Sequence, residues 1–373
     1  MTNNGNHLIS KGLPAKILLI PGALIVLVLI FYLGFGRGIF PNISEYKKDQ
    51  AQLITAMKTK LPEKPLAEIK YPIKGYRIPG LGGFCWLESS SGLIKYLEPD
   101  IDFDTFVFYG RPTLVMAGRN KDERWGPGLN QTHAFTELGY TAFRGSTNPT
   151  HPPQSVFPDI DPRNLIYFKT KEEELEFMKK LVSARIIPTI GYDGDFSTVV
   201  GYNQDGLWIV RSDPSQTDRG DRNFMTDPVI FEPTFITYKE LFDNWGMDYQ
   251  FFWFEKTGSR KSINEIYAEN KKNAQEAAQN METVIDFLKK GGNLVDFTYE
   301  IDIPSAMALY RYFTKQGNSD LADKYLEIAK IYESQRVSLG PDSRRSQAAA
   351  RKFYIETLTK VQPLLAEAAA MWP

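Results

Sequence analysis

The sequence predicts an α+β domain carried behind one transmembrane helix and followed by an α-helical bundle. Three observations predict it. Residues 17–36, ILLIPGALIVLVLIFYLGFG, run without a charge between Lys16 and Arg37. Across residues 84–255 helical patterns come first and strand patterns after them, the order of an α+β fold with an antiparallel sheet. From Ser262 onward the periodic segments are helical.

The chain has 373 residues, 42% hydrophobic and 13% aromatic, enough for a full core and for more than one unit. A net charge of −1 leaves no electrostatic footprint for nucleic acid. The single cysteine excludes an internal disulfide.

Residues 1–16 read as a short tail. As a helix, residues 17–36 reach across a hydrocarbon core of about 30 Å. The rival reading is a signal peptide, but no small-x-small cleavage site follows the apolar run before Phe40. Lys11 and Lys16 face Arg37, Lys47 and Lys48 across the run, so the positive-inside rule barely decides orientation. The short tail favours an inside amino terminus, a single-pass membrane protein, and an extracytoplasmic bulk.

Residues 37–78 read as stalk and linker. Tyr46, Leu53, Ile54, Met57 and Leu61 stand at helical spacing, with Ser44 available as a cap. Pro62, Pro65, Pro72 and Pro79 then keep the chain extended, which sets a domain boundary near Ile78.

Within residues 79–258, WLESSSGLIKYL is a helix opening directly after Cys85, and GLNQTHAFTELGY is a second, closed by Gly139. TKEEELEFMKKLVSARI is a third, with Thr170 and Glu173 spaced as a capping box. Three strands follow, IIPTIGY, FSTVVGYN and LWIVRSDP, the last two joined by a turn at Gln204-Asp205-Gly206. TYKELFDNWG is a short helix with Thr237 and Glu240 as another capping box, and YQFFWFE is a closing strand.

Residues 259–373 read as helical. One helix stops at Gly291-Gly292. Ala322, Tyr325 and Ala329 after Gly317 are spaced like one tetratricopeptide unit, and one unit is not an array. The last helix carries Pro363 as a kink. A self-buried bundle and a peptide-binding helix pair both fit this pattern.

The middle region resembles the papain-like cysteine peptidase-like domains related to the peptidases that trim double-glycine bacteriocin leaders. In that family a nucleophilic cysteine opens a helix, with a small residue four positions on and an aromatic eleven positions on; Cys85, Ser89 and Tyr96 match. The leucine-glycine turn of GLNQTHAFTELGY, the strand DFSTVVGYN, the pair Asp213-Pro214 and Trp245 ending a short helix follow in the family's order. The resemblance covers somewhat under half the chain, and its specificity lies in that order. It implies a papain-like domain with Cys85, position 195 and Asp213 at the places of nucleophile, base and orienting acid.

Position 195, however, is Asp, where the family has histidine. His7 precedes the apolar run, His133 falls in a helix and His151 in the loop THPPQS, so none replaces it. A thiol of ordinary pKa, about 8.5, stays mostly protonated at neutral pH, and papain-like sites lower it by pairing with imidazolium. A carboxylate in that place disfavours the thiolate by like-charge repulsion. The family's glutamine oxyanion donor is missing too, since KGYRIPGLGGF has neither Gln nor Asn, and Trp86-Leu87 replaces the usual Gly-Pro after the cysteine. Backbone N–H groups at the helix start supply half an oxyanion hole.

Cys85 therefore reads as a relic of the nucleophile or as a small buried hydrophobe, and Asp213 as a strand-end turn former. The acidic set Asp213, Asp218, Asp221 and Asp227 lacks calcium-loop spacing, so neither metal nor cofactor is expected. The partners implied are a protein or a membrane protein complex, the membrane itself through residues 17–36, and no nucleic acid. Two functions follow: an inactive peptidase-like accessory or scaffolding subunit of a membrane complex, or a cysteine hydrolase (peptidase, thioesterase or acyltransferase) using Cys85 with an unrecognised base.

Overall fold

The structure is a computed structural model that describes residues 43–77, 85–110, 131–147, 161–211, 229–246, 250–292, 298–343 and 347–373. The charge-free run 17–36 lies outside them. No helix of the described residues is long and apolar enough to cross a membrane. The chain divides into two units, residues 1–55 and 56–373. The described part of the first is helical and belongs to α1 (Ile43–Lys60). This helix begins one residue before Ser44, which therefore stands inside it instead of capping it.

The second unit is mixed α/β with a helical C-terminal part. Its main sheet has eight strands: β1 (Ile69–Lys70), β3 (Tyr140–Ser146), β4 (Leu165–Tyr167), β5 (Thr189–Tyr192), β6 (Asp195–Tyr202), β7 (Gly206–Arg211), β9 (Thr234–Thr237) and β10 (Phe251–Lys256). The order is β4-β3-β10-β5-β6-β7-β9, with β1 beside β6. A separate pair joins β2 (Gly75–Arg77) to β8 (Val229–Phe231). The sheet is mixed, which corrects the expected antiparallel one: β4 lies parallel to β3, with Arg144 opposite Leu165 and Ser146 opposite Tyr167. Strand β4 thus runs beside the last three residues of β3, and parallel neighbours need a crossover connection between them.

The helices are α2 (Cys85–Leu97), α3 (Phe103–Tyr109), α4 (Gln131–Glu137), α5 (Lys171–Ser183) and α6 (Tyr238–Asn244), then α7 (Ile263–Lys289), α8 (Thr298–Lys315), α9 (Ser319–Ser343) and α10 (Gln347–Met371). Their ends follow local chemistry. Thr170 accepts from the Glu173 N–H at 3.2 Å, while the Glu173 carboxylate reaches one residue further, to the Lys169 N–H at 3.0 Å. Thr237 with Glu240 and Ser262 with Glu265 close complete capping boxes. Asn203 Oδ1 accepts from the Asp205 and Gly206 N–H groups at 2.8 and 3.0 Å, which folds the β6–β7 turn.

Aromatic contacts assign the two sheet faces. Phe177 of α5 lies 6.2 Å from Phe251 and 5.8 Å from Trp253, and both rings are fully buried. Phe254, on the opposite face by strand alternation, stacks at 3.8 Å on Phe135 of α4, which meets Phe106 of α3 at 5.5 Å. Glu98, next after α2, accepts from the Tyr140 hydroxyl at 2.9 Å and pairs with Lys256, residues of that same second face. Helices α2, α3 and α4 thus cover one face, and α5 covers the other.

The stretch read as linker is partly built into this unit. Ile69 and Lys70 pair with Tyr202 and Gly201, the Tyr71 N–H donates to the Val200 carbonyl at 2.8 Å, and Met57, Tyr71 and Ile73 are buried. An extended, proline-punctuated chain suits a sheet margin, because proline needs no ladder hydrogen bond there. Gly92 is what lets this chain lie on α2: a Cβ there would sit 1.8 Å from the Lys74 carbonyl oxygen. Gly92→Ala is accordingly expected to lower stability by about 2 kcal/mol or more, within the range for overpacking or above it, read as a drop in denaturant midpoint at constant slope.

In the C-terminal part α8 packs on α9, α9 on α10, and α10 on α7. Ile266, Met281, Tyr325, Ile328 and Val361 are among its fully buried residues. Gly317 takes φ +76 in the turn between α8 and α9, a value that glycine adopts without strain. This part is held to α3. Arg311 Nε donates to Asp104 Oδ1 at 2.7 Å, Lys315 reaches Asp104 at 2.8 Å and Asp102 at 2.7 Å, and Asn270 Nδ2 donates to the Phe108 carbonyl at 2.9 Å. Burial works to raise the Asp102 pKa, but hydrogen bonds from Lys315 and Thr105 outweigh it and hold the carboxyl below the ordinary range.

Candidate functional site

The resemblance requires the start of α2 and the start of β6 to lie together, and the path of residues 69–77 shows that they share one end of the sheet. Residues 69–71 run antiparallel to β6, passing Tyr202, Gly201 and then Val200, toward its beginning. The same segment runs antiparallel to α2: the Tyr71 ring lies 5.8 Å from Tyr96, Lys74 lies against Gly92, and β2 continues along the helix. From Tyr96 back to Cys85 is about 16 Å at ~1.5 Å per helical residue. From Val200 back to Asp195 is about 16 Å at ~3.3 Å per strand residue. Since α2 packs across β6, its first residue and the first residue of β6 come to the same end.

Cys85 is the first residue of α2 and Asp195 the first of β6. Asp213 lies outside the described residues, as do His7, His151, Asp218, Asp221 and Asp227. It follows β7, whose last residue Arg211 pairs with Ser197, so β7 ends where β6 begins. His133 lies on α4. Among the described residues no group of His, Cys, Asp or Glu is arranged to hold a metal ion.

At this end stand Tyr192, Asp193, Gly194 and Arg211, which the sequence did not single out, together with Trp245, which it did. Asp193 and Gly194 take φ 52 and 78 in the β5–β6 hairpin, a two-residue turn that an Asp-Gly pair between apolar runs signals. Arg211 Nη2 donates to Asp193 Oδ2 at 3.2 Å, and its guanidinium lies 5.4 Å from the Tyr192 ring centre. Trp245 bridges to Tyr192 and donates from Nε1 to the Gln250 carbonyl at 3.2 Å. The tryptophan that closes α6 therefore stands at the sheet end where α2 begins.

The faces of β6 are also defined. Ser197 pairs with Ile190, and Ile190 with Phe251, the ring beside Phe177 of α5; Ser197 is on the α5 face. Phe196 lies 6.3 Å from Phe252, whose face is that of Phe254 and α4, so Phe196 is on the α2 face. It is 5% exposed.

The most strongly shifted carboxyl stands elsewhere. Glu174 on α5 is fully buried and neither of its oxygens has a hydrogen-bond partner. Burial pushes it up to about 9, against a smaller opposing pull from Arg144. It is neutral at pH 7 and lies on the face away from α2, so it takes no part in this site.

Comparison of the chain with protein-family models and with curated proteins returned no match.

Proposed function

We propose that this is a membrane-anchored protein with a papain-like, catalytically inactive domain, acting by binding as an accessory or scaffolding subunit of a membrane complex. The observation that carries the reading is the shared end of α2 and β6, where a papain-like enzyme needs cysteine and histidine and this chain has Cys85 and Asp195. An aspartate in the imidazole's place neither favours the thiolate near neutral pH nor, at an ordinary carboxyl pKa, protonates a leaving amine. The helical part supports a binding role by its position. It follows the far end of β10, joined by Arg260 to Asp100 at 2.7 Å and by the Tyr109 hydroxyl to the Lys261 carbonyl at 3.0 Å. Those contacts lie at the opposite end of the sheet from the start of α2.

The test is affinity capture of the full chain from detergent-solubilised membranes, with and without Cys85→Ala. The expected result is that the chain stays with membranes through a high-salt wash and brings down the same partners in both forms. Loss of stability from the substitution should be about 1 kcal/mol, a packing effect. Hydrolysis of peptides or thioesters by the unmodified chain, abolished by Cys85→Ala, would replace this reading with that of a cysteine hydrolase.

A further inference from the structure

We infer that the end of the sheet where β6 and β10 finish is a membrane-facing surface, seated on the headgroup region of a lipid bilayer by Leu66, Phe235 and Ile263. This rests on the membrane-anchored reading and adds to it the way the second unit is turned. The chain enters that unit at this end: Met57 and Leu61 are buried, and Lys60 Nζ pairs at 2.6 Å with Glu255, the residue before the last of β10. The Leu66 carbonyl accepts at 2.8 Å from the hydroxyl of Tyr202, the last residue of β6, and its N–H donates at 3.0 Å to Oγ of Ser183, the last residue of α5. Ile263 opens α7 just after the Lys261 N–H donates to the Glu137 carbonyl at 2.9 Å, beside the start of β3. Phe235 pairs with Trp208 near the start of β7, which begins where β6 finishes. The three side chains are 53, 39 and 40% exposed in the order Leu66, Phe235, Ile263. Among the described residues the other exposed large hydrophobic side chain is Ile230, on β8, whose partner β2 leads away along α2 toward its start.

The surroundings favour lipid as the occupant. Residues 37–42 at full extension of ~3.5 Å each and α1 at ~1.5 Å per residue hold Lys60 within about 50 Å of the anchor, so this end stays close to the headgroups and even a weak contact is populated. A partner strand finds little to pair with at the β9 margin, because Pro233 has no N–H and the Thr237 N–H donates to Glu240 at 2.7 Å. Phe235 lies 5.1 Å from the Trp208 ring, over which the Lys70 ammonium stands at 5.1 Å, and aromatic rings beside a long-stemmed lysine suit a membrane–water interface. Exposed Lys64 and Lys70 alternate with exposed Glu63 and Glu68, so the contact is hydrophobic and needs no anionic lipid. The start of α2, at the other end of the sheet, is thereby turned away from the bilayer.

The test uses the full chain carrying Cys85→Ala, which removes its single cysteine, reconstituted in phosphatidylcholine vesicles and checked for anchoring by alkaline extraction. Leu66→Cys, Phe235→Cys, Ile263→Cys and, as the equally exposed control, Ile230→Cys are each labelled with one NBD fluorophore and checked for a cooperative thermal transition. Interfacial side chains reach about 5–10 Å into the boundary between headgroups and acyl chains, so lipid spin-labelled high on the acyl chain should quench the first three labels about twofold or more and leave Ile230→Cys unquenched. The quenching should survive high salt. A chain that resists extraction but is quenched at fewer than two of the three sites, or equally at position 230, overturns the inference and leaves the anchor standing. Label emission that shifts with protein concentration in detergent, without vesicles, assigns the surface to a second copy of the chain and also overturns it. A chain that alkaline extraction releases takes away the anchored reading itself, and the inference with it.

Discussion

Phe108→Ala should lower the stability of the second unit by about 3–5 kcal/mol, the cost of removing a buried aromatic side chain. Phe108 is 1% exposed and stacks parallel on Tyr312 at 3.9 Å. It lies 6.2 Å from Trp372 in a second parallel arrangement and meets Phe313 edge-on at 6.4 Å. Its own carbonyl holds Asn270 of α7. The residue therefore belongs at once to α3, which packs under the sheet domain, and to the core of the C-terminal helices. If the two parts unfold together, the denaturant midpoint falls with an unchanged slope. A separate early transition carrying only helical signal would show instead that the C-terminal part is a cooperative unit of its own.

The second large effect is a gain. Glu174→Gln should stabilise the protein at neutral pH by on the order of 3 kcal/mol, and the gain should depend on pH. The folded-state value is raised to about 9 from an ordinary 4.5, so the folded chain holds a proton that the unfolded chain releases. Below pH 4.5 both states are protonated and the group costs nothing. As pH rises from there the unfolded state gains, stability falls at about 1.4 kcal/mol per pH unit, and the loss levels off above about pH 9. Denaturation of the two proteins at pH 4.5, 7 and 9 checks the sign: the difference must grow across the series. A constant difference would mean that Glu174 keeps its charge in the fold through a closer pairing with Arg144.

What could be read from the sequence was what short stretches decide by themselves. The caps at Thr170 and Thr237 and the turns at Gly139 and Gln204-Asp205 are set by a few adjacent side chains, and they stand as expected. Strand β3 was missed because it is buried on both sides and breaks alternation with Arg144 and Gly145, a pattern that only its neighbours β10 and β4 explain. Helix α3 was missed because FDTFVFY is a short apolar run that helix and strand templates fit equally well. Strand β4, three residues long, carries no period at all. At the candidate site the order of pieces was legible, whereas the faces of β6 were not. Whether Phe196 or Ser197 looks toward α2 depends on which helices cover which side, and that is settled by Phe135 and Phe177 from distant segments.

The central claim, that the cysteine at the head of α2 has no base, is tested most directly by the alkylation rate of Cys85 in the unmodified full chain as a function of pH, beside glutathione. The account predicts an apparent thiol pKa at or above the ordinary value of about 8.5 and a rate at pH 7 no greater than that of glutathione. A thiolate that forms well below pH 7 and reacts faster than glutathione would contradict it, because that requires stabilisation of the sulfur beyond the like-charge setting at position 195, from a positive partner or from the start of α2, where Cys85 stands.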